Sequence, residues 1–389
     1  MLFNRWGSAP ALMRLDLTEM TESVVVPGQW RRSSYVSSGH IVFAGDGGDI
    51  LALPSGQDAA RSMTPELVLE NVHGGAGIGY ARIAVSQNGT LVYAPLDASK
   101  RSLAIVDYSG RIEPVNAELG NYEQLSLSPD GSRVAFNSNF QVFVHDLERG
   151  GRVPLVPELP VTQAPVWSTD GTRVNFASNH NGTWNLYSKA ASGSGEVEVL
   201  LESRFDQMPT GVIADGRLVY QEIHESSGAD IWLLPVGGDP EPWLVTPAEE
   251  GLAQPSPSGE VMAYMTNVSG RFEISIQDIN RVFDPLRIST NGGTSPIWSS
   301  SGERLYFRQG HQLMVSDIST GPVLAASVPD VIFGGGWELS HQGEPLFSSY
   351  GAMSENRFLM IRHPPESVPT RINVIFDWFQ ELRDRVPVP

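Results

Sequence analysis

The stretch SLSPDGSRVAF, residues 126–136, decides the architecture. Two apolar strands flank a Ser-x-x-Gly turn, and the polar residues ahead of Gly131 favour a tight reversal. Glycine supplies the positive φ that closes a hairpin there. The same box, or a near relative, recurs: YVSSG ending at Gly39, AVSQNG at Gly89, VWSTDG at Gly171, VIADG at Gly216, PSPSG at Gly259 and IWSSSG at Gly302. Successive glycines stand 50, 42, 40, 45, 43 and 43 residues apart. That period matches a repeated four-stranded sheet.

The strand after each turn is a short run rich in apolar residues, from HIVFAG at 40–45 to RLYFRQ at 304–309, suited to a middle strand packed on both faces. A third strand follows about ten residues on, as in SLAIVD (102–107), QVFVHD (141–146) and EISIQD (273–278). Asp107, Asp146, Asp278 and Asp317 end such strands, where a side-chain oxygen can cap the next turn. A variable fourth strand completes each unit, for example Val197–Leu201 and Pro242–Val245. The fold class expected is all-β, a closed β-propeller of four-stranded blades. Seven units are internal. LMRLDL (12–17) and ESVVV (22–26) copy the third and fourth strands, and Ser348–Arg362 copies the first two, so the ends would complete an eighth, composite blade and remove the open sheet edges. A rival turn at Ser340–Gly343 leaves seven blades open.

The expected domain is a single propeller over 1–369, with 370–389 as a tail packed on it. In that tail Ile372, Ile375, Phe376, Phe379 and Leu382 fall at helical spacing. Repeat packing explains how 389 residues can form one unit. Composition agrees: 39 Gly and 28 Pro accompany 41% apolar residues. A formal charge of −18 opposes binding to nucleic acid or anionic membrane surfaces. Cysteine is absent, which excludes disulfides and thiolate chemistry. No stretch reaches the roughly 18 apolar residues of a membrane helix, and residues 1–13 lack signal-peptide character. The expectation is a soluble monomer without membrane insertion.

The boxes SLSPDGSRVAF and VWSTDGTRVNFASN resemble the TolB-like, PD40 (WD40-like) repeat of bacterial propellers along nearly the whole chain. More narrowly, VSQNGTLVYAP, STNGGTSPIWSSSG and INVIFDWFQEL resemble the propeller fused behind bacterial serine/threonine kinases and winged-helix regulators. No kinase Gly-rich loop, HRD or DFG is present, and the chain starts where such a protein would be partway through. The resemblance implies a sensing or protein-binding platform outside the membrane, although residues 1–13 leave a cytoplasmic location open.

Catalytic motifs are not evident. GGAGIG (74–79) does not fit GxGxxG and reads as a linker, and His224-Glu225 lacks the second histidine of HExxH because Gly228 stands there. Propeller geometry places fourth-to-first and second-to-third connections on one face. His73, His180, His224 and His311 of the eight histidines map there, with Asp46, Asp97, Glu123, Asp206, Glu222, Glu249 and Glu250. Imidazoles with carboxylates suit Zn²⁺ or Mn²⁺, and oxygen ligands alone suit Ca²⁺. The leading expectation is a platform that binds a protein, a peptide or a small molecule at the channel mouth. The second is a metal-dependent hydrolase of an ester, lactone or phosphotriester, with these histidines as ligands and Asp206 and Glu250 as oxygen ligands or general base. Trp167, Trp184, Trp232, Trp298 and Trp337 are assigned to packing between blades.

Overall fold

A computed structural model describes residues 1–5, 11–28, 30–44, 49–55, 64–70, 72, 83–94, 101–115, 122–224, 228–320, 323–334, 348–362 and 372–388. The chain divides into two compact units, Met1–Lys100 with Pro364–Pro389, and Arg101–His363. The expected boundary at 369/370 lies outside the described residues. Among the described residues, no helix is long and apolar enough to cross a membrane.

Arg101–His363 is a closed β-propeller of six antiparallel sheets among its described residues. Sheet I combines Tyr350–Ser354 and Arg357–Arg362 with Ser102–Asp107 and Ile112–Pro114. Sheet II holds Tyr122–Leu127, Arg133–Ser138, Gln141–Asp146 and Arg152–Pro154. Sheet III holds Thr162–Trp167, Arg173–Ser178, Asn185–Ala190 and Glu198–Leu201, and sheet IV Asp206–Val212, Leu218–His224, Gly228–Leu234 and Glu241–Leu244. Sheet V holds Glu250–Pro255, Val261–Thr266, Glu273–Asp278 and Leu286–Arg287. Sheet VI holds Thr294–Trp298, Arg304–Gln309 and Gln312–Ser319, flanked by Ala325–Ala326 and Asp330–Gly334. The first strand of each sheet is innermost, and these strands touch in cyclic order, VI closing on I.

The Ser-x-x-Gly turns form as read. In all seven boxes the glycine N–H donates to the carbonyl three residues earlier, at 2.8–3.2 Å. Every one of those glycines has positive φ, from +66° to +93°.

Closure differs from expectation. A composite sheet does close the ring, but Ser348–Arg362 pairs with Ser102–Asp107 rather than with Leu12–Leu17. The reason lies in the side chains. Leu103–Val106 is four apolar residues in a row, which suits a strand buried on both faces. They face Ile361, Met360, Leu359 and Phe358 across the ladder, with Asp107 opposite Arg357. In the same register Leu12–Asp16 would set Arg14 against the fully buried Leu359. Among its described residues the ring thus has six sheets where eight or seven were expected. Residues 340–343, the rival turn, lie outside the described residues.

The other unit contains three sheets among its described residues. Leu2–Arg5, Ala11–Asp16 and Thr21–Pro27 form one, and Arg31–Val36, His40–Ala44, Ile50–Pro54 and Glu66–Leu69 a second. In the third, Ile83–Val85 and Leu91–Tyr93 are joined by Asn373–Ile375. That strand takes the third-strand place that Ser102–Asp107 would fill in a regular repeat. The tail expected to be helical from Thr370 is therefore a strand first, because Val374 and Ile375 are β-branched and complete an open edge. The helix is confined to Trp378–Arg385. Its N-terminal N–H at Trp378 donates to the Gly89 carbonyl at 2.9 Å. Phe379 lies so close to Gly89 that a Cβ there would meet its ring at 2.9 Å. Beyond the helix, the buried His40 places Nε2 2.6 Å from the Val386 carbonyl and Nδ1 2.9 Å from Ser38 Oγ. Only an Nε2–H tautomer satisfies that carbonyl, which leaves Nδ1 to accept from the serine.

Candidate functional site

The six innermost strands of Arg101–His363 surround a cavity of about 610 Å³. It opens at the Ser-x-x-Gly end, with Ser128–Gly131, Ser168–Thr169, Ala214, Ser256–Pro257 and Ser299–Ser300 around the mouth. Deeper walls come from Gln124, Ala164, Thr210, Leu252, Ile297 and Tyr350. Asp130 and Tyr350 are the ionisable side chains among the described lining.

Both are already engaged. Tyr350 is buried and its hydroxyl donates to the Ser295 carbonyl at 2.7 Å. Asp130 Oδ1 accepts from Ser128 Oγ at 2.6 Å, from Ser132 N at 3.0 Å and from Ser132 Oγ at 2.9 Å. Asp170 repeats this with Ser168 and Thr172. The hydroxyl and amide donors hold each carboxyl down at about 2, with the Ser128 and Ser168 hydroxyls the largest causes. A depressed carboxyl contributes stability above its ordinary value of 3.8 and loses it as pH falls through about 2. A carbon-13 NMR titration is expected to find both midpoints near 2, and midpoints near 3.8 would show that these turns do not hold their acids.

The mouth is built of overlapping turns. Arg133 lies over the Trp167 ring at 4.7 Å and its Nη2 donates to the Gly171 carbonyl at 2.8 Å, tying turn II to turn III. A Cβ at Gly171 would sit 3.5 Å from Pro129 Cδ, and one at Gly259 3.2 Å from Ala214. The two lining tryptophans are pinned as well. Trp167 Nε1 donates to the Ser126 carbonyl and Trp298 Nε1 to the Gln254 carbonyl, both at 2.9 Å. Each bond joins neighbouring innermost strands, so these residues pack between blades and line the cavity at once. Trp337 lies outside the described residues.

Each innermost strand also slips register against its middle strand, deeper in between Gln163 and Val166 and between Gly251 and Gln254. Ala164, Leu252 and Ser295 take positive φ there. These bulges re-aim backbone amides toward the adjacent blade. Ala164 N donates to Gln124 Oε1 at 2.6 Å and Leu252 N to Gln221 Oε1 at 3.2 Å.

The described candidate residues of Arg101–His363 lie at the opposite end of the ring. His224 Nε2 is 3.1 Å from Glu222 Oε1, Gln207 Nε2 donates to Glu222 Oε2 at 3.0 Å, and Phe205 covers the imidazole at 4.1 Å. Asp206 Oδ1 accepts from Trp184 N at 2.9 Å. His180 stands beside Tyr187, with Nδ1 3.4 Å from Ser178 Oγ, and His311 is exposed in its turn. Glu123 and Glu250 are buried at the starts of two innermost strands. His73, Asp46, Asp97 and residues 74–79 lie outside the described residues. Glu222 and His224 are thus brought together as a carboxylate-oriented imidazole. Among the described residues no three His, Asp or Glu side chains converge to hold a metal ion.

The sequence places the site at the histidine-bearing end of the channel, whereas the cavity opens at the other end, where Asp130 is the one carboxylate among the described lining. The signal available was the residue after the anchor in the five boxes of this unit, where Pro129, Thr169, Ala214, Pro257 and Ser300 line the mouth.

No family profile matches the chain. Solved structures do. A protein described as TolB from Agrobacterium tumefaciens aligns with a TM-score of 0.56 at 16% identity, covering 68% of this chain and 99% of that one. TolB from Acinetobacter baumannii aligns at 0.46 and 16% identity, covering 85% and 78%. Virginiamycin B lyase from Staphylococcus aureus aligns at 0.42 and 13% identity, covering 72% and 94%. The fold is that of a TolB-like β-propeller.

Proposed function

We propose that the chain is a binding platform that takes an uncharged segment of a protein or peptide into the axial cavity of Arg101–His363. The observation that supports this is the character of the wall. It offers proline, tryptophan and aliphatic surface with serine, threonine and glutamine groups, and its one carboxylate is held by its own turn. Such a lining rewards apolar contact and backbone hydrogen bonding rather than ion pairing. The cavity volume falls in the range of small-ligand sites, enough for several side chains. Inter-blade hydrogen bonds keep the walls in place before anything binds, which lowers the ordering cost of association.

The test is site-specific photo-crosslinking in the cells that make the protein. A photoreactive residue at Thr169 or Ser300, both exposed at the mouth, is expected to trap the same discrete partner. The same residue at the exposed His311 on the opposite end is expected to trap none. An identical adduct from all three positions, or none from the mouth, would sink the reading.

A further inference from the structure

On the face opposite the cavity mouth, two buried carboxyls meet one threonine where sheet IV connects to sheet V. Glu250, the first residue of an innermost strand, is 2% exposed, and Asp230 is 1% exposed. Thr246 joins them: its N–H donates to Asp230 Oδ1 at 3.2 Å and its hydroxyl to Glu250 Oε1 at 2.6 Å. Thr246 Oγ1 also accepts from Ala248 N at 3.0 Å, and Thr266 Oγ1 donates to Glu250 Oε1 at 3.4 Å. Glu250 Oε2 is buried and has no hydrogen-bond partner. A carboxylate cannot be left there as an uncompensated buried charge without large cost, whereas a carboxylic acid can.

We propose that Glu250 is a proton-operated latch on the Val245–Glu249 connection. Protonated, it brings no charge into the site while still accepting from Thr246 and Thr266, and the connection is held. Ionised, it places a second negative charge beside Asp230 in a site with little solvation, and release of the connection relieves it. The groups facing Glu250 are Asp230 from sheet IV, and Tyr264 and Arg281 from sheet V. The hydroxyls donated by Thr246 and Thr266, and then Arg281, favour the charged form, but burial outweighs them, and the Arg281 guanidinium is also committed to the Trp243 carbonyl. The neighbouring Glu249 is turned to Asn267, whose Nδ2 lies 3.4 Å from Glu249 Oε2. Burial pushes the Glu250 carboxyl up to about 7, and the Asp230 charge adds to the rise. The latch is independent of the cavity reading, so either can fail without the other.

A carboxyl raised on folding stabilises fully below its ordinary value of 4.5, and that contribution is lost as pH rises to about 7. Amide hydrogen exchange at Thr246, Ala248 and Glu249, corrected for the intrinsic pH dependence, is the direct readout. Protection is expected to fall about tenfold per pH unit between about 4.5 and 7 and then level off. Glu250→Gln is expected to abolish this slope while keeping the protection seen at acid pH. Thr246→Ser is expected to keep the slope, and Thr246→Val to lose protection even at acid pH. A wild-type profile without slope, or a Glu250→Gln profile that tracks it, overturns the latch. Should Glu250→Gln not fold, the Glu250 carboxyl is titrated directly by carbon-13 NMR in the wild type. A midpoint near 4.5 overturns the proposal, and one near 7 supports it.

Discussion

Replacing Phe358 by alanine is expected to cost the six-sheet ring about 3–5 kcal/mol. Phe358 is fully buried in sheet I and packs edge-on to Tyr306 at 4.8 Å, with Phe333 at 6.0 Å and Tyr108 at 6.5 Å. Those rings come from sheet VI, its flanking strand and the turn after Ser102–Asp107, so one side chain ties together both sources of the composite sheet. Truncation removes the transfer free energy of a benzyl group and leaves a hole that interlocked aromatics fill poorly. Chemical denaturation followed through the tryptophans of the ring measures the loss. Val236→Ala, at an exposed turn, is the control and should stay within about 0.5 kcal/mol. A loss under about 1 kcal/mol for Phe358→Ala would mean that the ring does not close through these strands.

Trp378→Ala is expected to have a comparable effect, about 3–5 kcal/mol, in the unit that contains the C-terminal helix. Trp378 is 1% exposed and belongs to the core formed with Val42, Ile50, Val68 and Leu91. Its indole N–H is buried without a partner, so truncation loses packing and no hydrogen bond. The expected result is loss of exchange protection in Ile83–Val85 and Leu91–Tyr93, because the helix is seated on the turn at Gly89. Phe376→Ala, with a side chain 74% exposed just before the helix, should be nearly neutral. Equal effects of the two substitutions would show that the helix is not docked as described.

The repeat was readable because its turn chemistry is local. Seven Ser-x-x-Gly relatives close with the same hydrogen bond, and the runs after them are middle strands. Closure was harder to read because third strands look alike. LMRLDL and SLAIVD share one pattern, and the difference is Arg14, whose Nη2 donates to the Ser55 carbonyl where it stands and which would be costly opposite Leu359. The helix boundary was misplaced because Ile372, Ile375 and Phe376 satisfy helical spacing and strand propensity together. The open edge at Leu91–Tyr93 decides between them, and an edge is a tertiary fact. The end at which the cavity opens was hard to read for a different reason. A search for charged, metal-binding or nucleophilic residues points to loop tips, while this site is made of backbone, small hydroxyls and pinned indoles. Glu250 was singled out as an oxygen ligand, and its burial without a partner for Oε2 became visible only in three dimensions.

The overlapping turns at the mouth also bear on how such a molecule changes over generations. Each of the five Ser-x-x-Gly turns of this ring has an anchoring serine or its equivalent and a closing glycine at positive φ, and Gly171, Gly259 and Gly302 also lean on the turn before, so neither position can be exchanged freely. The residue after the anchor closes no turn, and within this one chain it is already Pro129, Thr169, Ala214, Pro257 and Ser300. Mutation can therefore change the surface around the opening, one blade at a time, on a frame that stays constant.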